Sequence, residues 1–379
     1  MQFTNLFYWP GGFDSRLLYV FVQPHHLIRG MIFFVSIIAI VLVFMLFYLV
    51  RRSRKSQYRN QLRQQYSEFL SYLAISESVE ELQAIMNEPA WKEKLANWLN
   101  NPFARKILIR ELVATVKNMS GAAADNACWF YANAGLDKDS SLRLKHGHWH
   151  VKARALQELS HLKQKQYTTR IYRLTNNRNE FVRNEARIAI VKLTGFEGLR
   201  FLDILTYPLT EWEQMSLLHE LSQQQHKSLT EIDRWLHSSN SSVVEFSLRL
   251  IETYKIYDLH DEVVKCLVHP DKNIRKIAIQ TLKEICGANT ASVVAERLEA
   301  EDEEMQLFIL EALQQIGTEK ENSVLSKYLF HSRDDFKVAA AKAIGNIDVD
   351  GWSYIEHKIN PGASPWNVLL PYLKQESLS

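Results

Sequence analysis

Six leucines recur at one fixed interval: Leu174, Leu205, Leu236, Leu267, Leu298 and Leu329, each 31 residues after the one before. A second column runs beside it through Leu159, Ile190, Leu221, Ile251, Leu282, Leu313 and Ile344, at intervals of 31, 31, 30, 31, 31 and 31. Periods of roughly 20–50 residues mark a small unit that cannot bury its apolar face alone and must stack on copies of itself. That requirement excludes most folds at once.

The unit is a pair of helices. Counting from Ile190, Val182 lies eight back, Ala186 four back, Ala189 one back and Leu193 three on, which is one face of a 3.6-residue helix. The same offsets yield Ile274, Ala278, Thr281, Leu282 and Ile285, then Met305, Ile309, Ala312, Leu313 and Ile316. They also yield Phe336, Ala340, Ala343, Ile344 and Ile347 near the C-terminus, and Val151, Ala155, Glu158, Leu159 and Leu162 at the front. The copy around Leu221 is degenerate, with Glu213 and Gln224 at apolar positions. The leucine column predicts a shorter helix ahead of each long one, with Phe201, Leu202 and Leu205 as its stripe in one copy. Gly195, Gly287 and Gly317 are expected to close the long helices in the left-handed conformation.

These residues resemble HEAT repeats, particularly the short bacterial kind found in phycobilisome-lyase-like proteins. Asp271-Lys-Asn-Ile274-Arg275-x-x-Ala278 and Asn179-Glu-Phe-Val182-Arg183-x-x-Ala186 look like that family's acid-x-x-Val-Arg-x-x-Ala signature, with Asn179 in place of the acid. Gln306 and Val244 replace the arginine elsewhere, which breaks any continuous ladder of acid–arginine pairs. The resemblance covers roughly residues 140–350. It implies an all-α chain whose array is a right-handed α-solenoid of HEAT-like hairpins with a period of about 31 residues. Solenoids display surfaces for binding, so a protein partner is expected.

Ahead of the array, Met31 to Val50 is a run of 20 uncharged residues containing one serine. At 1.5 Å per residue it matches a hydrocarbon core of ~30 Å. Core helices of a solenoid are amphipathic, and cleavable signals have apolar runs of only ~7–15 residues, so a transmembrane helix is expected. Arg51, Arg52, Arg54, Lys55, Arg59 and Arg63 follow it, against Arg16 and Arg29 before it. The positive-inside rule then places residues 51–379 in the cytoplasm, with the N-terminus outside a bacterial inner membrane. The aromatic leader (Phe3, Phe7, Tyr8, Trp9, Phe13) is either an interfacial anchor or a translocated tail. Arg51, Arg52, Arg54 and Lys55 are candidate contacts for anionic lipid headgroups.

The expected organisation is residues 1–30 outside the membrane, 31–50 spanning it, 51–66 a basic juxtamembrane helix, 67–140 a helical cap, 141–350 the array and 351–379 a C-terminal cap or tail. In the cap, Phe69, Leu70, Leu73 and Ala74 make one apolar face and Leu95, Trp98 and Leu99 another, with Pro89 and Pro102 near helix starts. Residues 134–141 are the best linker candidate, and the C-terminal stretch is expected to fold back over the last repeat. Cys128, Cys266 and Cys286 read as buried reduced thiols.

Chemistry is sparse. His146, His148 and His150 have metal-ligand types at i, i+2 and i+4, but no cysteine or carboxylate stands close by in sequence, and a helix would turn His148 away. The other reading is a helix start in which Trp149 packs and the histidines face solvent. No nucleophile elbow, phosphate-cradling glycine loop or dinucleotide fingerprint occurs. No metal, cofactor or catalytic residue is therefore assigned. A lyase-like enzyme is the alternative that the resemblance alone raises, and repeat fold does not carry activity. With 45 basic and 43 acidic residues the chain lacks the charge of a nucleic-acid binder.

The polar faces of the long helices should line the concave side of the stack. Lys152, Arg183, Arg187, Arg249, Lys276 and Lys283 are the candidate partner-binding residues, interleaved with Glu185, Glu245, Glu252, Glu284 and Glu311. Mixed charge suits a polar protein surface better than a polyanion. Arg183 and Arg275 are also expected to bond within their own repeats. The whole layout resembles single-span HEAT-repeat membrane proteins of bacteria, especially Trp149 to Ala153 and Gly195 to Pro208. That resemblance implies work beside a membrane glycosyltransferase in envelope polysaccharide assembly.

Overall fold

A computed structural model describes residues 24–224, 231–347 and 350–377. The aromatics of the leader lie outside these residues. The chain is helical, with no strand among the described residues. It divides into two compact units, Met1–Leu136 and Asp137–Ser379.

The first unit is dominated by α1, one unbroken helix over Pro24–Ile75. Its apolar stretch is long and apolar enough to cross a membrane, and none of that stretch is buried by protein. The helix does not break at residue 50 or at residue 66, so the expected juxtamembrane helix and the start of the cap are one rod. Burial begins at Leu62 and continues through Tyr66, Phe69 and Leu73, the i, i+4, i+7 and i+11 positions of one face. Around that face pack α3 (Pro89–Asn100), α4 (Pro102–Asn118) and α5 (Ala122–Asn133), while α2 (Val79–Asn87) packs on α3 and α5. Pro89 and Pro102 occupy first-turn positions, where no backbone N–H is needed. The core is aromatic: Phe69 meets Phe130 at 4.8 Å and Tyr66 meets Trp98 at 4.7 Å between ring centres. Leu95 and Trp98 are buried as expected, whereas Leu70, Ala74 and Leu99 are half-buried.

The division between the two units falls within residues 134–141, and the stretch is helical rather than extended. After Gly135, whose φ is +65°, helix α6 (Leu136–His146) takes up the chain at once. The second unit then alternates long helices with short helical pieces. The long ones are α7 (Trp149–His161), α9 (Glu180–Thr194), α10 (Glu211–Ser222), α12 (Ser241–Tyr254), α14 (Lys272–Glu284), α16 (Glu303–Ile316) and α18 (Asp334–Ile347). Between them lie α8 (Thr168–Tyr172), α11 (Ile232–Leu236), α13 (His260–Lys265), α15 (Thr290–Glu296) and α17 (Asn322–Tyr328). Neighbouring long helices pack side by side, α7 on α9, α12 on α14, α14 on α16 and α16 on α18.

All seven residues of the second column, Leu159 to Ile344, are buried in these contacts. Fully burying one such side chain contributes roughly 1.5–3 kcal/mol, so the stack needs many copies to offset chain ordering. The leucine column is less uniform: Leu236, Leu267, Leu298 and Leu329 are buried, Leu174 and Leu205 half-buried. The signature acid is a helix N-cap. Asp302 accepts from Met305 N at 3.0 Å, and Asn179 accepts from Val182 N at 3.2 Å, so asparagine substitutes without loss of the bond.

Two expectations fail locally. Residues Gly195–Ile204 form a 3₁₀ stretch rather than an α-helix. Gly198 lies so close to α9 that a Cβ would stand 2.9 Å from the Ile190 carbonyl oxygen, and this tight approach favours the narrower helix. Among the helix-closing glycines, Gly195 has φ +66°, but Gly317 has φ −62°. Gly317 is small for another reason: a Cβ there would stand 2.5 Å from the Leu313 carbonyl oxygen and overlap Ile347. At the end of the chain α19 (Gly351–Lys358) and α20 (Trp366–Ser377) pack on α18, burying Ile355, Trp366, Leu370 and Leu373.

Candidate functional site

The long helices carry the candidate binding face. Helices α12 and α14 frame a hollow of about 250 Å³ lined by Arg249, Glu252, Gln280, Lys283 and Glu284 around Ile277. A second hollow of about 470 Å³ continues across α14, α16 and α18, between Lys283, Phe308, Glu311, Asp335 and Lys342. Lys283 lines both, so the two read as one furrow crossing four repeats. The Lys276 ammonium sits 5.0 Å from the centre of the Phe308 ring, a cation–π arrangement that holds a charge on the furrow's edge. Arg249 is 3.4 Å from Glu245, and Lys255 pairs with Glu284. That Lys255 contact, through hydrogen bond and charge, holds the Glu284 carboxyl below its ordinary pKa.

Arg249, Lys276 and Lys283 therefore cluster. Lys152 on α7 and Arg183 on α9 belong to earlier copies and line neither hollow. Arg183 donates to the Asn177 carbonyl at 2.9 Å and lies 4.2 Å from the Tyr207 ring centre, tying the turn of its own repeat to the next segment. Arg275 does the same to the His269 carbonyl at 2.9 Å and adds two bonds to Glu301 at 2.8 and 2.7 Å.

Arg187 is the clear correction. It is not on the furrow but fully buried, and its guanidinium pairs with Glu213 at 2.7 Å. Its remaining donors reach the carbonyl oxygens of Thr175 at 3.1 Å and Tyr207 at 2.9 Å. The other Glu213 oxygen accepts from the Thr210 backbone and hydroxyl at 2.8 and 3.0 Å. Burial lowers the Arg187 pKa from its usual value, and Glu213 opposes that shift. The register held the signal. Three residues before the column position stand Leu156, Leu248, Ile279, Leu310 and Ala341 in other copies, all buried, so position 187 belongs to the core.

His146, His148 and His150 are exposed, and no group of three metal-binding side chains is assembled among the described residues. Trp149 does not pack inward. It is 49% exposed and stacks at 5.0 Å on Phe181, itself 53% exposed. Cys266 is buried, which with the nearby Glu262 carboxylate pushes its thiol pKa up to about 11, but Cys128 is half-buried and Cys286 exposed. Cys286 follows a core isoleucine and turns outward at the helix end. Arg51, Arg52, Arg54 and Lys55 are exposed on α1. Sequence reasoning missed Phe308 and Val338 in the furrow, apolar side chains at offsets where the copies mix polar and apolar residues.

Residues 260–345 match the family described as HEAT repeats. Among solved structures the chain is similar to an engineered protein at 16% identity, covering 82% of this chain and 97% of that one, with a TM-score of 0.38. It is similar to the complex of CpcE and CpcF of phycocyanin lyase from Nostoc sp. PCC7120 at 13% identity, covering 71% and 94%, with a TM-score of 0.23. It is also similar to Kap95p in its complex with RanGDP at 12% identity, covering 86% and 47%, with a TM-score of 0.35. No curated protein matches the sequence.

Proposed function

We propose that this chain, whose residues 260–345 match HEAT repeats, is a membrane-anchored scaffold whose solenoid binds a protein partner, a binding role rather than a catalytic one. In this reading the repeats form a right-handed solenoid of 31-residue hairpins. Residues 31–50 of α1 span a bacterial inner membrane once, the N-terminus is outside and the array lies in the cytoplasm. The charge asymmetry around the apolar stretch supports that orientation.

The observation that carries the binding role is the furrow, with cations and carboxylates alternating around an apolar floor of Ile277, Phe308 and Val338. Such a surface matches a polar protein face with a few apolar anchors, and its alternation of sign disfavours nucleic acid. The partner class we propose is a membrane glycosyltransferase of envelope polysaccharide assembly, which the resemblance of Trp149 to Ala153 and Gly195 to Pro208 supports.

Crosslinking in mild detergent followed by mass spectrometry tests this. The wild-type chain should retain one partner in stoichiometric amount, and Lys276→Glu with Lys283→Glu should release it while Lys152→Glu, off the furrow, retains it. Equal retention by both variants would remove the furrow from the account. A periplasm-only reporter active at residue 379 would overturn the orientation.

A further inference from the structure

In the first unit, a hollow of about 580 Å³ opens between α1 and α4. Six cations line it: Arg51, Arg52, Lys55 and Arg59 from α1, and Lys106 and Arg110 from α4. No carboxylate is among its lining residues. The wall is fixed by packing just below, where Tyr58 stacks on Phe103 at 5.9 Å and the Tyr66 hydroxyl donates to the Ala104 carbonyl at 3.0 Å. Lys55 is held 5.2 Å from the Phe103 ring centre, and Arg59 donates to the Ser56 hydroxyl at 3.3 Å.

Topology accounts for the cations of α1 but not for those of α4. The positive-inside bias counts charges within about 15–20 residues of a span, and Lys106 and Arg110 come from a separate helix well beyond that reach. Folding has brought them onto the same hollow as the flanking arginines, so that cations from two helices face one space in which an anion could sit. The hollow starts at Tyr48, in the last turn of the exposed apolar stretch. An anion seated there would have its other half beside uncovered apolar side chains of α1.

We propose that this hollow is a binding site for the phosphate headgroup of an anionic phospholipid, its acyl chains lying along the apolar part of α1. The proposal rests on the reading of residues 31–50 as a membrane span, and it adds Arg59, Lys106 and Arg110 to the flank while leaving Arg54 off the hollow. The site would fix the depth and rotation of the rod at the bilayer surface, and so the position of the first unit.

Native mass spectrometry of the purified full chain in detergent micelles, with equal phosphatidylglycerol and phosphatidylcholine of matched chains, tests it. The wild type should favour phosphatidylglycerol, and Lys106→Glu with Arg110→Glu should cut that preference by about tenfold or more, given ~1 kcal/mol per charge near such a surface. Arg54→Glu should cut it less. If circular dichroism shows the reversed variant unfolded, Lys106→Gln with Arg110→Gln decides in the same direction. Equal binding of the two lipids, or an equal loss from Arg54→Glu, would overturn the site. Retention of inorganic phosphate without lipid preference, lost in the same variants, would make it a soluble-anion site and overturn the lipid assignment. A chain that stays monomeric without detergent would fail the span reading instead, a separable result.

Discussion

Helices α14 and α10 occupy the same register in their repeats and are built from different chemistry. At the three leading core positions α14 places Ile274, Ala278 and Leu282, while α10 places Glu213, Leu217 and Leu221, and all six are buried. The alanine of α14 lets α12 and α16 approach closely. Leu217 stands where α14 has that alanine, and α10 with the residue before its cap reaches α12 through polar contacts, Gln214 to Glu245 at 3.2 Å and Leu209 N to Ser242 Oγ at 2.9 Å. Where the aliphatic stripe fails, a saturated ion pair between Arg187 and Glu213 joins adjacent repeats. A break in a repeat pattern is thus a joint with its own partners.

The sharpest way to break this comparison is to remove one half of the joint. Arg187→Ala leaves Glu213 buried without its cation and should cost about 3–5 kcal/mol, with Glu213→Ala similar. Replacing both together by Met and Leu should cost far less, since a buried pair and a well-packed apolar pair are often close in free energy. Repeat arrays need not unfold in one step, so the readout is native-state hydrogen exchange of the α9 and α10 amides. If the single variants open those helices no more than the double variant does, the joint is ordinary packing.

Next in size is the aliphatic copy. Leu282→Ala should cost about 2–5 kcal/mol through lost transfer energy and the cavity left behind. The exchange increase should concentrate in α14 and its neighbours, because each repeat contacts only the next. An increase spread evenly from α7 to α18 would mean one cooperative core in which α10 and α14 open together.

How much of this was legible in the sequence follows the same line. Where apolar side chains set the packing, spacing reported burial: the whole column from Leu159 to Ile344 is inside. The N-caps were legible as well, because Asp302 and Asn179 act on their own helix. Arg187 was misplaced because its charge was weighed above its register. Leu205 was overvalued because Gly198 presses the chain into a 3₁₀ stretch, a steric effect no apolar count contains. The furrow was half legible, its lysines by offset and Phe308 not at all. The basic hollow of the first unit was least so, since its two sources share no repeat register.

A smaller effect belongs to a second carboxylate held between repeats by arginines, Glu301. Glu301 receives two bonds from Arg275 and one from Arg297 at 3.1 Å. Burial alone would raise its pKa, but the two arginines outweigh burial and hold it below the ordinary 4.5. A carboxyl with a lower pKa folded than unfolded stabilises above the unfolded value, and that contribution is lost as pH falls through the folded one. Glu301→Gln should therefore lower stability at neutral pH by about 1.5–3 kcal/mol and flatten the acid limb of a urea midpoint measured from pH 6 to pH 3. An acid limb identical in wild type and variant would show that Glu301 titrates alike in both states.

The smallest expected effect concerns the residue that departs from the signature acid. Asn179 caps α9 through one side-chain oxygen, and Asn179→Ala should cost ~1 kcal/mol, confined to exchange of the first-turn amides. Asn179→Asp keeps that acceptor and adds a negative charge at the positive end of the helix, which should return the lost stability and add up to about 1 kcal/mol at low salt. Arg183 lies in the same turn and would be drawn toward the new carboxylate, competing with its bond to the Asn177 carbonyl. The gain from aspartate should therefore shrink as salt rises, while the loss from alanine should not change. If Asn179→Asp destabilises at every salt concentration, then the asparagine is held by the Asn177–Arg183 turn rather than by its role as a cap.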